Sequence, residues 1–171
     1  IGANSAQALT CGACNVGIGK NALGASTTGC RNVAIGMTAL GAGVTTGSGN
    51  IAMGINAADA LTTGACNIAM GVNAYGTAAA GKENVAIGNA AMGGSLVVGC
   101  DNVAIGRNAG DALTTGACNV AIGLNALGAA TTGCYNIAIG YQALGVGTMV
   151  GLSNIAIGES AIGALTSGAC N

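Results

Sequence analysis

Residues 119–135 read Asn-Val-Ala-Ile-Gly-Leu-Asn-Ala-Leu-Gly-Ala-Ala-Thr-Thr-Gly-Cys-Tyr, and the rest of the 171-residue chain is made of variants of this stretch. An Asn followed by Val or Ile, a small residue, Ile or Met, and Gly begins at Asn15, Asn32, Asn50, Asn67, Asn84, Asn102, Asn119, Asn136 and Asn154. Asn171 opens a tenth copy. Successive copies are 17 or 18 residues apart, and every three spacings come to 52, so that Asn15, Asn67, Asn119 and Asn171 mark a superrepeat. Self-similarity at a short fixed period is the signature of a solenoid, in which no single unit buries its apolar side chains alone.

Alignment of the copies separates structural positions from free ones. A Gly stands four residues after every Asn, from Gly19 to Gly158, and an Ala seven after, from Ala22 to Ala161. A second Gly closes each copy, from Gly29 to Gly168, and the extra residue of the 18-residue copies falls between that Ala and that Gly, as a loop insertion would. Within Asn-Val-Ala-Ile-Gly the alternation has the period of a strand, with Val33 and Ile35 on one face and Ala34 on the other. A helix is disfavoured by the recurring Gly and β-branched residues. These features predict an all-β fold: a β-solenoid, as a parallel β-roll or β-helix, of about ten rungs filling residues 1–171 as a single domain. At about 4.8 Å per rung the rod is roughly 48 Å long. The expectation is that Val and Ile point inward, leaving a smooth outer stripe of Ala. Registered Asn residues form ladders of stacked amides. One runs from Asn15 to Asn171, and a second, less complete, uses Asn21, Asn56, Asn73, Asn108 and Asn125. Both read as structural turn ladders before they read as ligand surfaces.

The motif Asn-Val-Ala-Ile-Gly-x-Asn-Ala-Leu…Thr-Thr-Gly resembles the 17-residue repeats of phage tail-fibre proteins over essentially the whole chain. It is similar, more loosely, to the head domains of trimeric autotransporter adhesins. The resemblance implies a β-roll, often three chains side by side, that serves as an extracellular stalk or adhesive head. The chain departs from the tail-fibre pattern in having few outward aromatic and polar residues and eight Cys.

Composition narrows the function classes. There is no His, which removes His-based acid–base chemistry and Ser-His-Asp triads. Four Lys and Arg residues are too few to neutralise a nucleic-acid backbone. Asn, Ser or Thr interrupts every apolar run before the ~18 residues of a membrane span, so membrane insertion is not expected. The acids Asp59, Glu83, Asp101, Asp111 and Glu159 include no pair placed for two-carboxylate catalysis. No enzyme activity, catalytic residue, cofactor or metal site is therefore assigned.

The cysteines admit three readings. Cys14 with Cys30, and Cys118 with Cys134, stand on adjacent rungs and are candidate disulfides. The alternatives are free thiols buried as small hydrophobes in a corner, and metal binding through Cys11-Gly-Ala-Cys14. The residues that break the repeat, Arg31, Tyr75, Lys82, Glu83, Arg107, Tyr135 and Tyr141, would be the exposed contacts of a receptor-binding segment. Ordinary surface variation explains them as well, and no binding site is assigned. The recurring Thr pairs, such as Thr27-Thr28, Thr62-Thr63 and Thr131-Thr132, raise ice binding as an alternative, but the column fails at Ala79-Ala80, Val97-Val98 and Met149-Val150. The reading that needs least is a structural fibre whose partner is itself, as a lateral trimer or an end-to-end filament. A cell-surface receptor is a further partner. The cuts at Ile1 and Asn171, both inside the repeat, suggest a segment of something longer.

Overall fold

The computed structural model describes residues 1–130, 132–146, 150–162 and 167–171. It is a β-solenoid with nine short strands: β1 (Val16–Ile18), β2 (Val33–Ile35), β3 (Ile51–Met53), β4 (Ile68–Met70), β5 (Val85–Ile87), β6 (Val103–Ile105), β7 (Val120–Ile122), β8 (Ile137–Ile139) and β9 (Ile155–Ile157). They form one parallel sheet in sequence order, and every strand pairs with the next at the equivalent residue, as Ala104 does with Ala121. The ladder starts where the amide of Val103 donates to the carbonyl of Asn119 at 2.8 Å, and ends where the amide of Gly123 donates to that of Ile105 at 2.8 Å.

Three corners of each coil are made by residues in the left-handed region. Counting the ladder Asn as position 0, these are positions −1, +6 and +8. Among the described residues, the 28 non-glycine residues with positive φ all fall in these three files, with φ between 47° and 60°. Asn at +6 suits this, because its short polar side chain tolerates the left-handed conformation better than most. The corner at +4 is stricter. Gly123 has φ 129°, and a Cβ there would sit 2.5 Å from the carbonyl oxygen of Gly140 on the next rung. The invariance of Gly at +4 follows from both constraints.

The alternation along the strands does define two faces, but the structure assigns them opposite to the expectation. Ala34, Ala52, Ala69, Ala86, Ala104, Ala121 and Ala138 are fully buried, whereas Val16 and Ile18 are 44% and 40% exposed. The cause is volume. The narrow coil is filled by Ala at +2, Ala at +7, a small residue at +11 such as Ser26, Ala78 or Ala130, and a larger residue at +8, namely Leu23, Leu40, Tyr75, Met92, Leu127 and Leu144. An interior packed to crystalline density has no room for Val or Ile at +2 as well.

Packing matches two of the three 18-residue rungs to the rung that follows. Where +8 is small, at Ala58 and Gly110, a Leu three residues later, Leu61 or Leu113, enters the core instead, and both are buried. The Cδ1 of Leu113 lies 3.0 Å from where a Cβ on Gly110 would be, so Leu113 takes the space the missing side chain leaves. Each of these rungs follows an 18-residue one, and its Asp at +9 contacts the extra loop. The Ala42 amide donates to Oδ1 of Asp59 at 2.9 Å and the Gly43 amide to the carbonyl of Asp59 at 2.7 Å. Asp111 lies against the amide of Gly94 in the same way. The 18-residue rungs of Asn32 and Asn84 are thus each matched to the rung that follows, whereas the rung of Asn154, with Ile162 at +8, departs from this pattern.

Candidate functional site

Asn32, Asn50, Asn67, Asn84, Asn102, Asn119, Asn136 and Asn154 stand in one buried file, flanked by the partly buried Asn15 and the exposed Asn171. Each acts in two directions. The Nδ2 of Asn102 donates to the carbonyl of Gly116 at 2.9 Å, closing its own coil, and to Oδ1 of Asn84 at 3.0 Å, joining the rung before. The backbone amide of Asn119 donates to Oδ1 of Asn102 at 3.0 Å. Every polar atom of the amide is occupied by protein, so this file offers nothing to a ligand.

The outer face of the sheet is different. Val and Ile at +1, with Ile and Met at +3, run along all nine strands without one charged residue. From β2 to β4 the stripe widens, because Met37, Ile55 and Val72 at +5 are also exposed, at 46%, 42% and 41%. Lys20, Arg107 and Glu159 occupy the same file on the first, sixth and ninth rungs. Such a continuous apolar face normally marks a contact surface.

A second feature is a groove of about 430 Å³ on a neighbouring face. The file at +9 presents Gly76 and Gly93 between Asp59 and Asp111, and the file at +6 presents Ala90 between Asn73 and Asn108. Missing side chains on two adjacent files make the depression. Thr77 forms one wall, held by its Oγ1 donating to the carbonyls of Gly93 at 2.9 Å and Ser95 at 2.7 Å. Partial burial pushes both carboxyls above the ordinary aspartate value, against the opposing pull of backbone amides at Ala42 and Gly41 for Asp59 and at Gly94 for Asp111. The two acids stand three rungs apart, about 14 Å, too far for paired-carboxylate hydrolysis, which needs ~5–9.5 Å. The sequence does carry a trace of this groove, in the interruption of the second Asn ladder at Ala90.

The repeat-breaking residues divide. Arg31, Lys82, Glu83 and Tyr135 are exposed at the corner before the ladder Asn, and Arg107 and Tyr141 are exposed at +5. Tyr75 is not an exposed contact: it is 1% exposed and takes the Leu position in the core. Its hydroxyl accepts from Nδ2 of Asn84 at 2.8 Å, and burial pushes its phenol well above the ordinary tyrosine value. The sequence period alone does not tell a tolerated large core residue from a free surface position.

All eight thiols are free, and none is buried, so the reading of corner thiols as core filler fails. The backbone amide of Ala13 lies 3.5 Å from Sγ of Cys30, and that of Ala117 lies 3.4 Å from Sγ of Cys134. Each of these thiols therefore leans towards the residue preceding Cys14 or Cys118. No group of three or more Cys, Asp or Glu among the described residues could hold a metal ion. The outward hydroxyl file of Thr28, Thr46, Thr63, Thr115 and Thr132 is interrupted by Ala80 and Val98. Thr131 and Met149 lie outside the described residues. No helix among the described residues is long and apolar enough to cross a membrane. No family model, curated protein or solved structure matches this chain.

Proposed function

We propose that the protein is a structural element of an extracellular fibre or adhesin stalk, assembled through its outer sheet face with further copies of the same chain. The observation that carries this reading is the uncharged Val, Ile and Met stripe along all nine strands. A second copy fits it because the stripe has a fixed period of about 4.8 Å, which another such rod reproduces rung for rung. Nine strands three residues wide give a face of roughly 400 Å² in projection. Two mated faces then remove roughly 800 Å² from water, below the ~1,200 Å² of a stable pair, so a stable assembly uses a further face of each rod as well, as a trimer with side contacts or a lateral bundle does. The resemblance to tail-fibre repeats supports the same assembly and the extracellular setting.

Sedimentation velocity at about 50 μM tests it. The expected species is a trimer or larger. Met53→Lys with Met70→Lys places two charges on adjacent rungs of the face, at residues each 37% exposed, and is expected to give monomers with unchanged circular dichroism. A wild-type monomer at that concentration, or an assembly indifferent to the two Lys residues, overturns the reading. Negative-stain microscopy with and without reductant then separates assembly through the face from assembly through the thiols.

A further inference from the structure

The file at +6 is an incomplete Asn ladder, and between Asn73 and Asn108 its missing member is replaced by Ala90, the smallest residue in the file. The Nδ2 of Asn56 donates to Oδ1 of Asn73 at 3.2 Å, so side-chain amides do bond along this file. At the next rung Ala90 offers only a methyl group, and the file resumes at Asn108. The amides of Asn73 and Asn108 stand on either side of that gap, about 10 Å apart along the rod. Alongside it, Gly76 and Gly93 leave the neighbouring file open, so the gap is the floor of the 430 Å³ groove and not a slot too small to enter. That volume lies within the ~300–1,000 Å³ range of small-molecule sites.

The lining selects among ligand classes. It holds amides, which donate and accept, and the Thr77 hydroxyl, whose proton is already given to backbone carbonyls and whose oxygen is left to accept. It holds no Lys or Arg, which disfavours an anion, and no aromatic ring. A cation finds only two carboxylates at opposite ends, each already set against backbone amides of the preceding rung. A hydroxyl group both donates and accepts, as the missing amide would. We propose that this groove binds a single ring of a neutral sugar, whose hydroxyls bridge Asn73 and Asn108 in place of the absent rung. This goes beyond the structural role proposed above and does not depend on it, since the groove and the Val/Ile face share no residue.

Saturation-transfer difference NMR on the intact chain, with methyl glycosides of glucose, galactose, mannose and N-acetylglucosamine as probes, tests this. Transfer to at least one sugar is expected, at the millimolar affinity proper to an open site without stacking. Ala90→Asn completes the ladder and fills the groove. Ala90 has φ 52°, and Asn73 and Asn108 hold the same corner at φ 55°, so the variant is expected to keep or raise the melting temperature while weakening binding at least tenfold. If A90N melts lower, Asn108→Ala, which removes one amide and leaves the groove open, takes its place with the same expected loss. No transfer to any of the four sugars, or transfer unchanged in the variant, overturns the proposal.

Discussion

Replacing Asn102 by Ala isolates what one buried amide contributes to a stacked fold. The Nδ2 of Asn102 donates to the carbonyl of Gly116 and to Oδ1 of Asn84, and its Oδ1 accepts from the amide and the Nδ2 of Asn119. Truncation removes all four bonds. The Nδ2 of Asn119 keeps its bond to Gly133, and Oδ1 of Asn84 keeps the backbone amide of Asn102. The carbonyl of Gly116 and the backbone amide of Asn119 are left without the partner they had, in a site where Asn102 is fully buried. Each orphaned group costs about 1–3 kcal/mol, so the expected loss is about 2–6 kcal/mol before any cavity term. Rungs contact only their neighbours, so the damage is expected to be local, opening the rod between β5 and β7 before the ends. Urea denaturation followed by circular dichroism measures the total, and hydrogen exchange of the Val103 and Val120 amides measures its place. A loss under about 0.5 kcal/mol, the size of an ordinary surface substitution, would refute the assignment of the Asn file as the stabilising spine.

Gly123→Ala meets both a φ of 129° and a backbone oxygen 2.5 Å from the new Cβ, and is expected to lower the melting temperature clearly and to prevent β7 and β8 from pairing in register, read by the same exchange measurement. Ser26→Ala goes the other way. The Ser26 hydroxyl is buried without a hydrogen-bond partner, where Ala78 and Ala130 serve in other rungs, so removing it is expected to stabilise by about 1 kcal/mol in urea denaturation. Because the folded-state values of Asp59 and Asp111 are raised, the folded chain binds more protons than the unfolded chain. Stability should therefore fall as pH rises from the ordinary aspartate value through the raised one, and Asp111→Asn should flatten that slope in thermal melts between about pH 3 and 7. A thiol titration of the reduced native protein should count all eight cysteines without denaturant, since none is buried. Slow or partial reaction would contradict the corner geometry.

The sequence by itself determined the solenoid. A 17-residue period with Gly at +4 and Asn at 0 leaves one way to satisfy backbone and amide together, which is to stack equivalent positions: Gly123 on Gly140, Asn102 on Asn119. It also located the insertions, because the extra residue always falls between the same Ala and Gly. Which face of the strand is the core was decided only by tertiary structure. Alternation distinguishes Ala104 from Val103 and Ile105 but does not order them, and hydrophobicity alone puts the larger residues inside. The closed coil reverses that order, because Leu at +8 and Ala at +7 already fill a narrow interior, and only Ala fits opposite them. The same volume limit explains why Tyr75 is buried and why Leu113 replaces a side chain at Gly110. The groove was hidden for a related reason: it is made by side chains that Gly76, Ala90 and Gly93 lack, and an absence on two adjacent rungs becomes a cavity only once those rungs are stacked.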